Sequence, residues 1–282
     1  MSDRSPARGF TLVELVVALA LGTLVLGAAG QLYLATRRFF RLQSSVLEVR
    51  EGLRAAMQVL SAEIRELDAS GGDIVALGPD SISIRATRGV DFVCAPPETS
   101  SGGIVVRNSI SSGYRDVDPA RDRALVFRDG DPGTEDDDSW LDREIAAAGG
   151  AAACADGAAG TEFRLVGAPD SVWAGAPVRW YERVVYRLYQ DEGGAWWLGA
   201  RSYSHGGWAA LSPIAGPLRH PAGLQFSYRD PAGAATADPG RVATISVALR
   251  GTGSAVLQSV GGSQKHWVDS LTTVVFARNG RR

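Results

Sequence analysis

The hydrophobic residues of this chain are concentrated near its amino-terminal end. Between Leu15 and Thr36 there are 22 consecutive residues without a charge, mostly Leu, Val, Ala and Gly. A helix of about 20 apolar residues is long enough to cross a hydrocarbon core of about 30 Å. No later stretch is comparable, so the pattern predicts a single membrane-spanning helix over residues 10–36.

Beyond residue 36 the pattern becomes that of an amphipathic helix. Apolar residues recur at every third or fourth position and define one helix face: Val46, Val49, Leu53, Met57, Leu60, Ile64 and Leu67. No proline interrupts Phe10 to Leu67, and Gly71 and Gly72 follow. The sequence therefore predicts one helix of about 58 residues, about 87 Å long, whose second half covers residues 37–68. A soluble coiled coil is the alternative for that half.

Residues 69–282 have the alternating pattern of half-buried strands. Six runs are typical of strands: Ser81–Arg85, Ala124–Phe127, Val184–Tyr189, Leu224–Tyr228, Val242–Leu249 and Leu271–Phe276. Asp191–Gly194 predicts a hairpin turn, and Gly251–Gly253 predicts another turn. The expected fold class is α+β, with a long amino-terminal helix packed on an antiparallel β-rich head.

The net charge and the absence of known catalytic motifs exclude several classes of function. The 29 basic and 31 acidic residues give a net charge of -2, which argues against nucleic acid as a partner. His205, His220 and His266 have no metal-binding spacing, and no nucleotide-binding loop or nucleophile elbow is present. We expect a non-enzymatic protein without a cofactor or metal.

A cleaved secretory signal is the simplest alternative for the apolar segment. Arg4 and Arg8 would form its positive region, and Ala28–Gly30 would lie near the cleavage site. However, the hydrophobic region of a secretory signal usually has about 7–15 residues, and this apolar run is longer. Glu14 also lies inside its edge, where an ionisable group indicates a function if a positive partner exists.

The segment Arg8-Gly-Phe-Thr-Leu-Val-Glu-Leu15 and the apolar run after it resemble the processing site of type IV pilins and type II secretion pseudopilins. The resemblance implies that a prepilin peptidase cuts after Gly9 and N-methylates Phe10. It also implies that Glu14 pairs with the free amino terminus of a neighbouring subunit during fibre assembly. An ammonium at Phe10 and the Glu14 carboxylate would attract strongly in a low dielectric.

The implied protein is a minor pilin that assembles into or primes a type IV pilus, and residues 1–9 are its leader. The tail Thr272–Asn279 and the repeat-free β head resemble PilW-type minor pilins in a diffuse way. J-type pseudopilins at the tip of a type II secretion filament share this plan. The implied partners are the prepilin peptidase, other pilin or pseudopilin subunits and the inner-membrane assembly platform. An anchored periplasmic binding module or enzyme is the alternative from another class.

The resemblance also implies a location in the bacterial inner membrane, with the head in the periplasm before filament assembly. One rule conflicts with this orientation. Arg37, Arg38 and Arg41 follow the span, against Arg4 and Arg8 before it, so the count of positive charges favours the opposite orientation.

Three features of the head remain open. Cys94 and Cys154, the only cysteines, fall in stretches expected to be loops. Outside the cytoplasm an even count predicts one disulfide, with free buried cysteines as the alternative. The acidic segment Asp129–Asp138 departs from the EF-hand template and is expected to be a solvated turn, with a Ca²⁺ site as the alternative. Six tryptophans are expected to pack in the core, with a binding platform as the alternative: Trp173, Trp180, Trp196, Trp197, Trp208 and Trp267.

Overall fold

The computed structural model describes residues 11–95, 102–113, 115–131, 133–134, 136–167, 169–204, 206–258 and 264–277. Within them a single α-helix, α1 (Leu12–Arg65, 54 residues), precedes a series of antiparallel strands. The predicted α+β class is therefore confirmed. The strands are β1 (Ile74–Leu77), β2 (Ser81–Ala95), β3 (Gly103–Arg107), β4 (Ser112–Gly113), β5 (Asp122–Arg128), β6 (Ser139–Ala153), β7 (Ala159–Leu165), β8 (Pro177–Gln190), β9 (Trp196–Ser204), β10 (Gly207–Trp208), β11 (Ser212–Leu218), β12 (Leu224–Arg229), β13 (Thr244–Gln258) and β14 (Gln264–Phe276). Single 3₁₀ turns lie at Asn108–Ile110 and Pro239–Arg241.

The chain divides into two compact units. The larger one comprises Val49–Thr252 with Val268–Arg282, and the smaller one comprises Met1–Glu48 with Gly253–Trp267. In the smaller unit a Cβ on Gly253 would lie 2.6 Å from the Ser45 hydroxyl oxygen. The backbone of that strand therefore approaches the helix of the same unit closely.

Six strands of the larger unit form a closed ring. Neighbours pair in the order β2, β3, β7, β6, β5 and β8, and β8 pairs back onto β2. Every strand of the ring contributes buried apolar side chains to one cluster, which includes Val93, Ile104, Val126, Ile145, Leu165 and Val178. The ring is therefore a barrel with a packed interior.

Beyond the barrel the sheet continues from β8 through β9, β11 and β13 to β12. The Asp191–Gly194 segment makes the β8–β9 turn, where Asp191 and Ala195 are hydrogen-bonded, as the sequence predicts. The carboxyl-terminal part of α1 packs on this sheet. The buried helix residues of this part are Val49, Leu53, Ala56, Met57, Leu60 and Ile64, and Leu67, which follows the helix, is buried as well.

The prediction of a turn at Gly251–Gly253 is wrong, because both glycines lie within β13. A Cβ on Gly251 would lie 2.5 Å from Cγ1 of Val49 and 3.3 Å from Cγ of Leu53. The glycine thus allows α1 to approach the sheet, a requirement that a sequence pattern does not reveal.

An ionic network joins the same helix to the barrel. Arg88 of β2 donates to Glu63 of α1 and to Glu182 of β8, both at 2.9 Å. Arg115 donates to both carboxylate oxygens of Asp122, at 2.6 and 2.7 Å, and to Glu182 at 3.3 Å. Asp122 and Glu182 are buried, so each carboxylate has the cationic partner that burial requires.

A disulfide joins Cys94 to Cys154, which fits the pairing expected for the head. The S–S distance is 2.08 Å and the Cα atoms are 5.0 Å apart, within ordinary disulfide geometry. Cys154 follows β6 directly. The expectation that Cys94 is in a loop is wrong, because it lies near the end of β2, where its carbonyl accepts a hydrogen bond from Ala155.

Candidate functional site at the amino-terminal end of the helix

Glu14 and Thr11 form a hydrogen-bonded cap at the start of α1. The backbone N–H and the hydroxyl of Thr11 both donate to Oε2 of Glu14 at 3.2 Å, and the backbone N–H of Glu14 donates to the Thr11 hydroxyl oxygen at 3.3 Å. Threonine before the first helical residue and glutamate three positions later make a capping box. Sequence reasoning missed this role of Glu14, although the spacing Thr-x-x-Glu is visible in the chain.

The cap leaves part of the Glu14 carboxylate available. Both hydrogen bonds that it accepts end on Oε2, and Oε1 accepts none from the part of the chain that the structure describes. Glu14 is also exposed, as are all residues from Thr11 to Arg41. A charged acceptor therefore faces outward at the start of an apolar helix.

The apolar side chains that follow Glu14 have no cover within the protein. Leu12, Leu24 and Leu26 are 79%, 71% and 73% exposed. This part of α1 is long and apolar enough to cross a membrane, and none of its most apolar window is buried. Exposed apolar surface on this scale indicates a lipid or protein environment around the helix.

The other residues of the predicted processing site, Gly9 and Phe10, lie outside the described residues. The structure therefore defines the contacts of Glu14 but not those of the cleavage position. Cys94 and Cys154 lie in the larger unit and serve its internal structure.

Three acidic side chains of the predicted solvated turn lie close together. Carboxylate oxygens of Asp129, Asp137 and Asp138 are all within 4.8 Å of one another, so these residues could hold a metal ion. Asp137 and Asp138 are exposed and Asp129 is half-buried. Exposed acidic groups commonly approach one another in surface loops, and this geometry alone assigns no metal.

The aromatic residues fall into two groups. Trp180 is buried in the barrel, as expected for a core residue, whereas Trp173 is 51% exposed. Trp208 is 37% exposed, and the guanidinium groups of Arg183 and Arg201 lie 5.8 and 5.0 Å from its ring centroid. Cation–π contacts of this kind depend on strand pairing and were not visible in the sequence.

Comparison with known proteins gives one match, at the amino-terminal end. Residues 4–30 match the model of the prokaryotic N-terminal methylation motif. No curated protein and no solved structure matches the chain significantly. The motif supports a type IV pilin-like protein that is a substrate of prepilin peptidase, and it implies assembly with other pilin subunits. Together with the apolar helix it fits an inner-membrane anchor.

Proposed function

We propose that the chain is a non-catalytic minor pilin subunit of a type IV pilus. In this proposal the prepilin peptidase cleaves after Gly9 and N-methylates Phe10, residues 1–9 are the leader, and residues 10–36 are the membrane and assembly helix. Residues 37–68 continue the helix beneath a head formed by residues 69–282. The head lies in the periplasm until the assembly platform moves the subunit into the filament.

One observation carries the proposal. The exposed Glu14 carboxylate lies at the start of an uncovered apolar helix, inside the segment that matches the methylation motif. A helix with this surface is stable in lipid and can exchange lipid contacts for contacts with other helices of the same kind. The motif match supports the type of subunit, whereas its place in a pilus is our inference.

Within the described residues, Glu14 accepts hydrogen bonds through one carboxylate oxygen, which suggests how one residue could serve two purposes. Oε2 caps the helix of its own chain through Thr11. Oε1 remains for the amino terminus that cleavage would create on a neighbouring subunit. In a low dielectric such a pair offsets the desolvation of both charges, so it would fix the axial register of packed helices.

Two substitutions at Glu14 separate these purposes. Glutamine can replace glutamate in a capping box, so Glu14→Gln keeps the cap but removes the charge. Glu14→Ala removes both. We expect both variants to be inserted and cleaved but lost from filaments sheared from cells, and only Glu14→Ala to lose helicity at the start of α1. Glu48→Gln, which neutralises an exposed helix carboxylate beyond the span, is the matched control and should assemble normally.

Mass spectrometry of the mature amino terminus tests the processing step separately. N-methylated Phe10 supports the proposal, whereas an intact Met1 or cleavage near Ala29 would falsify it. Normal incorporation of Glu14→Gln would show that its charge is not needed for assembly.

A deletion strain distinguishes the pilus from a secretion filament. If the chain is a minor pilin, surface pili decrease while secretion of type II substrates continues. Loss of secretion with normal pili would instead identify a pseudopilin.

A further inference from the structure

A surface cleft of the larger unit is lined by residues of β5, β6, β8 and β9 and of the segments beside them. It has a volume of about 360 Å³. Small-ligand sites commonly have volumes of about 300–1,000 Å³. The charged and aromatic residues that line the cleft are Arg121, Asp122, Arg123, Glu144, Arg183 and Tyr203.

Two arginines of the cleft are neutralised by carboxylates of the protein. Nε of Arg121 lies 2.9 Å from a carboxylate oxygen of Asp118, and Nε of Arg123 lies 2.8 Å from one of Asp142. Glu144 is exposed, with a carboxylate oxygen 4.0 Å from Arg123. These groups together therefore give the cleft no excess of positive charge.

Arg183 carries a charge that the described protein leaves unbalanced. The buried carboxylate of Asp122 is paired with Arg115. Within the described residues Arg183 forms no ion pair, and its guanidinium donates no hydrogen bond. Arg183 is half-buried and borders the cleft, so it has lost part of its hydration and still has N–H donors to offer there.

Aromatic rings support the Arg183 guanidinium. Its Cζ lies over the ring of Tyr203, 5.0 Å from the centroid, and 5.8 Å from the ring centroid of Trp208. The Cζ of Arg201 lies 5.0 Å from the same Trp208 centroid, and Arg201 too has no ion pair in the described chain. A guanidinium against a ring face keeps the N–H groups at its edge available to a ligand. Two positive groups beside one exposed indole favour an anion.

The surroundings favour a carboxylate over a more highly charged anion. A carboxylate is planar and has one negative charge, so it matches the fork of a single guanidinium. The carboxylates of Asp118, Asp142 and Glu144 lie within 4.0 Å of the other arginines of the cleft. They would repel a phosphate dianion or an anionic polymer more strongly than a single carboxylate.

We propose that this cleft binds a carboxylate group through Arg183. The guanidinium N–H groups of Arg183 donate to the carboxylate oxygens of the ligand. Tyr203 and Trp208 hold that guanidinium in place, and Arg201 adds a second positive charge beside it. The site lies in the head and is independent of the proposed role of Glu14.

Titration of the full-length protein in a non-ionic detergent tests the proposal. The probe is sodium benzoate, with benzamide as the neutral analogue, benzylamine as the cationic analogue and phenyl phosphate as the more highly charged anion. Binding is followed at constant ionic strength by calorimetry and by the indole N–H resonance of Trp208, which is identified by its loss in Trp208→Phe. We expect benzoate to bind and shift that resonance, phenyl phosphate to bind more weakly, and the other two analogues not to bind.

Arg183→Gln is the decisive variant, because glutamine keeps a polar side chain but has neither the charge nor the fork. We expect its affinity for benzoate to fall on the order of tenfold or more. Arg187→Gln, which removes an exposed arginine of the same strand that does not border the cleft, is the matched control and should bind as the unmodified protein does. Near-ultraviolet circular dichroism verifies that Arg183→Gln is folded. If that variant does not fold, Arg183→Lys, which keeps the charge but lacks the fork, takes its place and should also weaken binding.

Four results would each overturn the proposal: no binding of benzoate to the folded protein, equal binding of benzamide, tighter binding of phenyl phosphate, or unchanged binding by a folded Arg183 variant. An acetylated and amidated Gly-Glu-Gly peptide identifies the source of the carboxylate. If this peptide binds at least as tightly as benzoate, the natural ligand is an acidic protein side chain. If only benzoate binds, the ligand is a small carboxylic acid.

Discussion

Gly52 of α1 lies directly against the backbone carbonyl of Gly216 in β11. A Cβ atom on Gly52 would overlap the Gly216 carbonyl oxygen, and that oxygen cannot move aside as the end of a flexible side chain could. The two glycines therefore mark a close approach of helix and sheet within the larger unit. Glycine in a helix interior costs about 1 kcal/mol relative to alanine, and this contact gives the physical reason for tolerating that cost.

Gly52→Ala should destabilise the head, although alanine is the better helix former. We expect the free energy of unfolding to fall by about 1–3 kcal/mol, because helix and sheet must separate to admit the methyl group. Urea unfolding of the full chain in detergent, followed by tryptophan fluorescence, measures the change. Gly27→Ala is the control, since nothing lies within 4 Å of a Cβ there and the unfolding midpoint should not decrease. A stability gain in Gly52→Ala would contradict the structure.

Removal of the disulfide should weaken the barrel. The bond joins residues 60 positions apart, and closing a loop of this size stabilises by about 4 kcal/mol in the chain-entropy model. Unfolding of the double variant Cys94→Ser/Cys154→Ser should therefore begin at lower urea concentration. Reduction of the unmodified protein should lower its urea midpoint to that of the double variant. Reduction of the double variant should not change its midpoint. Equal midpoints for the oxidised protein and the variant would refute the prediction.

Glu182 should make the stability of the head dependent on pH. Burial by itself raises the pKa of Glu182, but hydrogen bonds from Ser202 and Arg88 and the charge of Arg115 outweigh burial and hold that pKa below its ordinary value of 4.5. Because the folded-state pKa is the lower one, the stabilisation is complete above about pH 4.5 and is lost as the pH falls through the folded-state value.

Glu182→Gln isolates this contribution from those of the other carboxylates. At pH 7 we expect the variant to be less stable by about 2 kcal/mol, since charge-assisted hydrogen bonds are lost. The difference should shrink as the pH is lowered below 4.5, because protonation removes the same charge from the unmodified protein. Urea unfolding midpoints of both proteins, measured across this pH range, give the difference in stability. A difference that does not vary with pH would disprove the role assigned to the Glu182 charge.

We expect Arg88 to stabilise the head mainly by neutralising two carboxylates, and less by its own packing. Arg88→Met leaves Arg115, at 3.3 Å, as the remaining cationic partner of the buried Glu182 among the described residues, and it leaves Glu63 without its guanidinium partner. Breaking a buried pair in this way costs about 3–5 kcal/mol. In a double-mutant cycle, Arg88→Met/Glu182→Gln should lose less stability than the sum of the two single changes. Additive losses would show that the two residues are not coupled.

The sequence predicted those features that depend on local pattern. The helix was expected from Phe10 to Leu67 and extends from Leu12 to Arg65, and each of the six predicted strand segments lies within or overlaps a strand. The capping box of Thr11 and Glu14 also follows from local spacing, because the two residues are three positions apart at the start of the helix. All these features follow from spacing along the chain.

Features that depend on pairing between distant segments could not be predicted. More than half of β6 consists of Ala and Gly, which have little tendency to form strands, and the conformation of this part follows from its pairing with β7. Asp91 has the same limitation. Its neighbours in sequence give no sign that the side chain is buried, because its hydrogen-bond partner Trp180 lies 89 residues further along the chain, in β8.

The pairing of β8 with β2, which closes the ring, limits how copies of this barrel can associate. An open sheet offers unpaired N–H and C=O groups at its margins, and these can recruit a strand from another molecule. In the closed ring each of the six strands has a neighbour on both sides, so it has no such margin along its paired length. If the chain assembles into a filament as proposed, neighbouring barrels can therefore touch along these paired strands without adding a strand, and such contacts are made by side chains.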